Sequence, residues 1–228
     1  GLHLDPMNDR PDPGPGTQPP DFDAAFRDKL RDLLLWRRDV RRFLGTPLPD
    51  GLLEGLLAQA ALAPSVGNSQ PWRFVVVEDT ARRKAVRDDF EAANQDALAG
   101  YSGERAQTYA GLKLAGLDKA PVQLAVFADR ATARGHGLGQ NTMPEMLPYS
   151  VVAAVNTLWL AARAAGVGVG WVSILHPDKV SGILDVPEDW HLVAYLCLGL
   201  PEEEHLEPEL VRAGWQDRAD VSEFILRR

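Results

Sequence analysis

The sequence predicts an α+β domain in which helices pack on both faces of a single sheet. Three observations predict it. Four short runs, 72–78, 122–128, 169–175 and 191–200, are rich in β-branched, aromatic and aliphatic residues and read as strands. Five longer stretches carry apolar residues at helical spacing. The two kinds of segment also do not alternate strictly, as the units of a parallel α/β sheet would. With 228 residues, 45% apolar and 25% charged, the composition is that of one globular domain with a sizeable core.

The elements follow in chain order. Residues 1–21 are expected to be a disordered tail. GLHLDP reads as a remnant ahead of a native start at Met7, and NDRPDPGPGTQPP is rich in Pro and Gly and nearly devoid of apolar side chains. Such a stretch buries too little surface to offset its ordering entropy, and without an apolar centre it is not a signal peptide. A single domain then spans 22–228. Residues 22–36 place Phe22, Phe26, Leu30, Leu33 and Leu34 on a helix. A second helix, 50–62, starts after Pro49–Asp50 and is ended by Pro64. The strand WRFVVVE at 72–78 precedes two helices, 80–99 and 104–118, split near Gly100–Gly103. VQLAVFA at 122–128 is the second strand, 131–148 is loop, and 150–165 is a helix apolar nearly all round and therefore buried on most faces. VGWVSIL at 169–175 and HLVAYLCLGL at 191–200 complete the strands, and an acidic segment with a basic-ended tail follows.

The net charge of −8 argues against a nucleic-acid binder, which needs an excess of Lys and Arg to neutralise phosphates. The lone cysteine, Cys197, rules out an intrachain disulfide and reads as a buried strand residue in a soluble, cytoplasmic protein. The one long apolar stretch near 151–175 carries Asn156, Thr157 and Arg163 and is interrupted by GVGVG, so no membrane span is expected. The five histidines show no metal-ligand spacing with each other or with Cys197, so no metal is expected.

Four constellations could carry chemistry. In RRDVR at 37–41, followed by Arg42, four arginines stand among six residues of an acidic chain. If the stretch is helical, Arg37, Arg38 and Arg41 share a face and repel one another, and an anion held between them would relieve the repulsion. The other reading is a solvated basic helix end. Asp39, inside this cluster, is either a carboxylate base or an internal partner for Arg38 or Arg42. Nearby arginines favour its ionised form and desolvation opposes it. In APSVGNSQPWRF at 63–74, Ser65, Asn68, Ser69 and Gln70 offer polar groups and Gly67 allows close backbone approach. This is a ligand-edge loop, or a turn that satisfies its own backbone. GVGVGWVSIL at 166–175 lacks the dinucleotide glycine spacing and follows a helix rather than a strand. Close approach of backbone to a flat ligand is its functional reading, with Ser173 offering a hydroxyl from an otherwise apolar strand. Finally, SGERAQTYAGLKLAGLDKAP at 102–121 is a lid or a surface helix.

Taken in order, these segments resemble a known family. APSVGNSQPWRFVVV resembles the flavin-loop signature of the nitroreductase superfamily. RRDVR, SGERAQTYAGLKLAG, LWLAARAAGVGVGWVSIL, and YLCLGL with EPELVRAGWQDR are similar to its 5,6-dimethylbenzimidazole synthase branch. The resemblance runs from about residue 30 to about 220 and implies a nitroreductase-like mixed sheet flanked by helices, in a homodimer with FMN at the subunit interface. The implied activity is oxidative fragmentation of reduced FMN, a substrate rather than a recycled cofactor, by dioxygen. The products would be 5,6-dimethylbenzimidazole, the lower ligand of vitamin B12, and a four-carbon sugar phosphate. A separate flavin reductase would supply reduced FMN. By position, Arg37, Arg38 and Arg41 would hold the FMN phosphate and ring edge with Val40 beside them. Asp39 and Ser173 would be the essential pair. Ser65, Gly67 and Asn68 would form the flavin loop, and the segment around Arg105 and Leu114 a lid that keeps water from the reactive flavin. Asn68 and Ser69 follow the wider superfamily more than the synthase branch. The competing readings are an NAD(P)H-dependent FMN nitroreductase or flavin reductase, and a non-catalytic flavin-binding protein.

Overall fold

The computed structural model describes residues 11–228. The expected tail falls partly outside the described residues, at 1–10; residues 11–22 form no helix or strand and are exposed. The first helix, α1 (Ala24–Trp36), is capped by Asp23, whose side chain accepts from the Phe26 N–H. It buries none of its own residues. Phe22, Phe26, Leu30 and Leu34 stand exposed on one face, with the Phe22 and Phe26 rings 5.0 Å apart.

The chain then forms α2 (Leu52–Ala60), β1 (Trp72–Val76), α3 (Thr80–Ala99), α4 (Gly103–Ala110), β2 (Val122–Asp129), α5 (Met146–Ala164), β3 (Gly168–Val172), α6 (Pro177–Leu184), β4 (Trp190–Gly199) and α7 (Glu209–Arg212). The strands lie in the order β1-β2-β4-β3, every neighbour antiparallel. The one parallel pairing among the described residues is an isolated bridge between Asp39 and Val169 at the β3 edge.

The period-two pattern of the strands covers both faces. Leu124, Val126, Leu196 and Leu198 point to one side, against α2 and α5. Ala125, Phe127, Tyr195 and Cys197 point to the other, with Val86 of α3 and Val180 and Leu184 of α6. Cys197 is fully buried there, and burial pushes its thiol up to about 12, so it is inert.

Several boundaries differ from the sequence expectation, each for a physical reason. The helix expected at 104–118 stops at Ala110, because residues 115–117 turn inward to the core under Phe43. A Cβ on Gly116 would lie 2.4 Å from the Phe43 ring, so this stretch is shaped by tertiary contact rather than helical period. The helix expected from 150 begins at Met146, with Pro148 tolerated in its first turn. The strand expected at 169–175 ends at Val172, leaving Ser173 just past it. The short helices α6 and α7 carry too few turns for a periodic signal.

Candidate active site

The residues 37–41 are not helical. Arg37 leaves α1 in an extended conformation, and the segment adds itself to the edge of β3, with the Val40 N–H donating to the Val169 carbonyl at 2.9 Å. It then crosses the end of the sheet, where the Leu44 N–H donates to the Leu200 carbonyl at 2.8 Å. The glycines of GVGVG make this possible. A Cβ on Gly170 would stand 2.1 Å from the Val40 carbonyl oxygen, and one on Gly168 would meet the Val40 side chain at 2.9 Å. What approaches these glycines is therefore the chain's own Val40, through its backbone at Gly170 and its side chain at Gly168, where the sequence reading places a flat ligand.

This docking aims Asp39 at the end of β3. Its Oδ1 accepts from the Trp171 N–H at 2.8 Å and its Oδ2 from Arg41 Nε at 2.7 Å. The Asp39 side chain keeps 28% of its exposure while that of Arg41 keeps 11%, so a ligand can reach the carboxylate but hardly its cation. Burial pushes the Asp39 carboxyl above the ordinary aspartate range, outweighing the pull of Arg41 and of the Trp171 N–H. The competition between cation and desolvation is thus decided for desolvation, because Asp39 lies against the sheet edge rather than on a helix surface.

The arginines divide into two groups. Arg41 is taken up internally: Nη1 donates to the Glu209 carboxylate at 2.9 Å and to the Lys113 carbonyl at 3.2 Å, and Arg42 also binds Glu209. Arg41 therefore braces Asp39 from behind rather than facing a ligand. Arg37 and Arg38 make no ion pair among the described residues. The Arg37 guanidinium lies 4.7 Å over the Trp159 ring, and Trp159 Nε1 donates to the Arg38 carbonyl. Arg38 donates to the Leu35 carbonyl, yet its Nε is buried without a partner. Burial and then the charge of Arg218 lower both guanidiniums, and Arg37 further lowers Arg38. Three cations thus crowd together without an ion pair of their own, the charge of Asp39 opposing them only at Arg37, an arrangement that a phosphate would relieve. Arg218 was not singled out by sequence reasoning; its only signal was its place in EPELVRAGWQDR.

Ser173 follows β3 immediately and is exposed. The turn after it is fixed by Asp89 of α3, which accepts from both the His176 N–H (2.8 Å) and, at 2.7 Å, pairs with His176 Nδ1. Arg105 of α4 stacks 4.7 Å over Trp215 and donates to the Trp215 carbonyl, and Tyr101 and Tyr109 pack beside the same indole. The expected lid helix is therefore tied to the C-terminal segment. Leu114 is half-buried in the stretch that follows α4.

The loop 65–70 sits elsewhere. It leads into β1, the opposite edge of the sheet from β3. Its Val66 N–H donates to Ser150 Oγ of α5, nine residues from the Trp159 that holds Arg38, a separation of about 14 Å along the helix. Gly67, Asn68 and Gln70 all have positive φ. A Cβ on Gly67 would press on Gly135 and Leu138 at 3.2 Å. Ser65 Oγ accepts from the Gln70 N–H and so braces the loop, and Ser69 Oγ is buried without a partner. Beside Gly67, Asn68 and Gln70, with Arg134 and His136, opens a cleft of about 530 Å³. The cavity behind the Arg38–Arg42 segment is only about 50 Å³, enough for water and too small for a flavin ring. Within one chain, then, Arg37, Arg38, Asp39, Val40, Arg41 and Ser173 gather around the β3 edge, while Ser65, Gly67 and Asn68 do not join them.

Among the described residues no group of three or more His, Cys, Asp or Glu could hold a metal ion, and no helix is long and apolar enough to cross a membrane. Comparison with known proteins gives consistent relatives. The model of the nitroreductase family matches residues 34–200. A 5,6-dimethylbenzimidazole synthase of Rhodospirillum rubrum is 60% identical over 199 residues, covering 87% of this chain and 94% of that protein. One of Rhodobacter capsulatus is 48% identical over 196 residues, covering 86% and 95%. Among solved structures, an oxidised iodotyrosine deiodinase bound to FMN and 3-iodo-L-tyrosine superposes with a TM-score of 0.67 at 27% identity, covering 87% of this chain and 97% of that one.

Proposed function

This chain belongs to the nitroreductase family, and from that premise we propose that it fragments reduced FMN oxidatively, with dioxygen, to 5,6-dimethylbenzimidazole and a four-carbon sugar phosphate. The observation that carries the proposal is the 60% identity to a 5,6-dimethylbenzimidazole synthase across nearly the whole of that protein. The competing flavin-reductase and flavin-storage readings have no comparable support.

The residues present fit FMN. Arg37, Arg38 and Arg218 hold the phosphate, whose negative charge removes their mutual repulsion. Reduced FMN supplies the electrons and the carbon atoms of both products, its pyrimidine half leaves as a further fragment, and dioxygen is the oxidant. Asp39 takes up a proton at its open edge, and its raised proton affinity makes it a stronger base than a surface aspartate. Arg41 keeps the carboxylate aimed, and the Ser173 hydroxyl, exposed just past β3, donates a hydrogen bond to the substrate. The segment from Arg105 to Leu114 closes over the flavin and excludes water.

The flavin loop, with Ser65, Gly67 and Asn68, comes from a second copy in a homodimer. Two features support this: the loop and Asp39 lie at opposite sheet edges, and α1 leaves an apolar face uncovered. Reduced FMN arrives from a separate flavin reductase, and the single cysteine suits the cytoplasm.

The test mixes the purified protein with chemically reduced FMN in air and follows products by mass spectrometry. A species at the mass of 5,6-dimethylbenzimidazole, absent without protein, is expected. Asp39→Asn should lower its formation by about 100-fold or more while FMN still binds. Intact FMN that NAD(P)H bleaches and air restores would replace this reading with a flavin reductase.

A further inference from the structure

Glu209 lies beyond the segment that the family model matches, and its only signal in the sequence was its place in EPELVRAGWQDR. It opens α7, and its side chain is 15% exposed. Both carboxylate oxygens are used. Oε2 accepts from Arg41 Nη1 at 2.9 Å, and Oε1 accepts from Arg42 Nη1. Arg41 in turn reaches Asp39 through Nε at 2.7 Å, and the Lys113 carbonyl through the same Nη1 that meets Glu209. Segments far apart in the chain therefore converge on one guanidinium. Two cations, Arg41 and Arg42, are balanced by two anions, Asp39 and Glu209. Without Glu209, Arg41 would be left to Asp39 alone, and Arg42 to Glu202 and Glu203.

We propose that Glu209 is a positioning residue that acts on Asp39 through Arg41: by binding Arg41 on the side away from Asp39 it shares the positive charge that would otherwise fall on Asp39 alone. The proposal rests on the role given to Asp39 above. The groups that face Asp39 are Arg41 and Arg37 from its own segment, the Trp171 N–H from β3, the Cys197 thiol from β4 and Glu209 from α7. Among them Glu209 is the one carboxylate, and its charge opposes that of Arg41, raising the Asp39 carboxyl. A buried carboxylate left with an undivided arginine would be a weak base. Glu209 keeps Arg41 as a brace while limiting that loss.

The experiment titrates Asp39 directly, in unliganded protein labelled with carbon-13 at the aspartate carboxyls. The Asp39 resonance is identified by its loss in Asp39→Asn. In Glu209→Gln the Asp39 midpoint is expected to fall, because the one carboxylate that opposes Arg41 is gone. Glu203→Gln, which removes a charge near Arg42 without touching Arg41, should leave the midpoint in place. Arg42→Gln releases Glu209 to Arg41 alone and should raise it, which keeps the proposal testable if Glu209→Gln does not fold. A midpoint that stays or rises in Glu209→Gln, that does not move in Arg42→Gln, or that falls as far in Glu203→Gln, overturns the proposal. The titration needs no flavin, so failure of the wild-type protein to form product would sink the proposed reaction without deciding this result. Where product forms, the acidic limb of its rate should move with the Asp39 midpoint.

Discussion

The two edges of the sheet carry site residues built in opposite ways. At the β3 edge the chemistry is ionic. An extended segment is laid on the strand, and Asp39, Arg41, Arg42 and Glu209 balance one another while Arg37, Arg38 and Arg218 make no ion pair among the described residues. At the β1 edge it lies mainly in the backbone, beside a cleft that Arg134 and His136 also line. Gly67, Asn68 and Gln70 are held in left-handed conformations by contacts with 135–138 and by Ser65 and Ser150. The first edge can bind and neutralise charge; the second can bring backbone close to a ring. On the function proposed above, the difference teaches that neither edge is a site by itself. About 14 Å of α5 separates them in one chain, whereas a two-fold dimer can bring one edge of each copy together.

The largest expected effect tests that division. Asp39→Asn spoils the ionic edge, and Gly67→Val, a β-branched residue at φ 55°, spoils the loop. Each variant alone should form almost no product. Co-folded in equal amounts, they should regain about a quarter of wild-type product formation, because half the dimers are mixed and each holds one intact site. No recovery would mean that both halves belong to one chain.

Next in size is Gly170→Ala. The new Cβ would stand 2.1 Å from the Val40 carbonyl oxygen, so the segment carrying Asp39 must move. A loss of about 3 kcal/mol in stability is expected, read by denaturant unfolding, together with loss of product. The same substitution at Gly182, with open space around it, should cost far less. The smallest effect is Arg218→Ala, which removes one of the three crowded cations. FMN affinity should fall about tenfold, the worth of one charge-assisted contact, with a weaker dependence on salt. Unchanged affinity would leave the phosphate to Arg37 and Arg38.

Much of this molecule was legible in its sequence. The four strands and the long helices announce themselves through period-two and helical spacing, and so does burial of Cys197 in YLCLGL. RRDVR was conspicuous because four arginines in an acidic chain need an explanation. What the arginines do was not legible, because charge says nothing about partners. Arg41 is spent on Asp39 and Glu209 while Arg37 and Arg38 are not, and that depends on contacts with α7, far along the chain. The glycines of GVGVG suggested close approach to a flat ligand, whereas the packed structure places Val40 against Gly168 and Gly170.

The sequence by itself determined the α+β class, the position of the four strands and of most long helices, and the identity of the ionic and loop segments, because these follow from side-chain periodicity and local backbone preference. Tertiary structure alone decided that 37–41 is an added edge rather than a helix end, that burial outweighs Arg41 at Asp39, and that Glu209 and Arg218 belong to the same neighbourhood. The reason is physical: local preferences act over a few residues, whereas desolvation and charge balance are set by whatever the fold brings within a few ångströms.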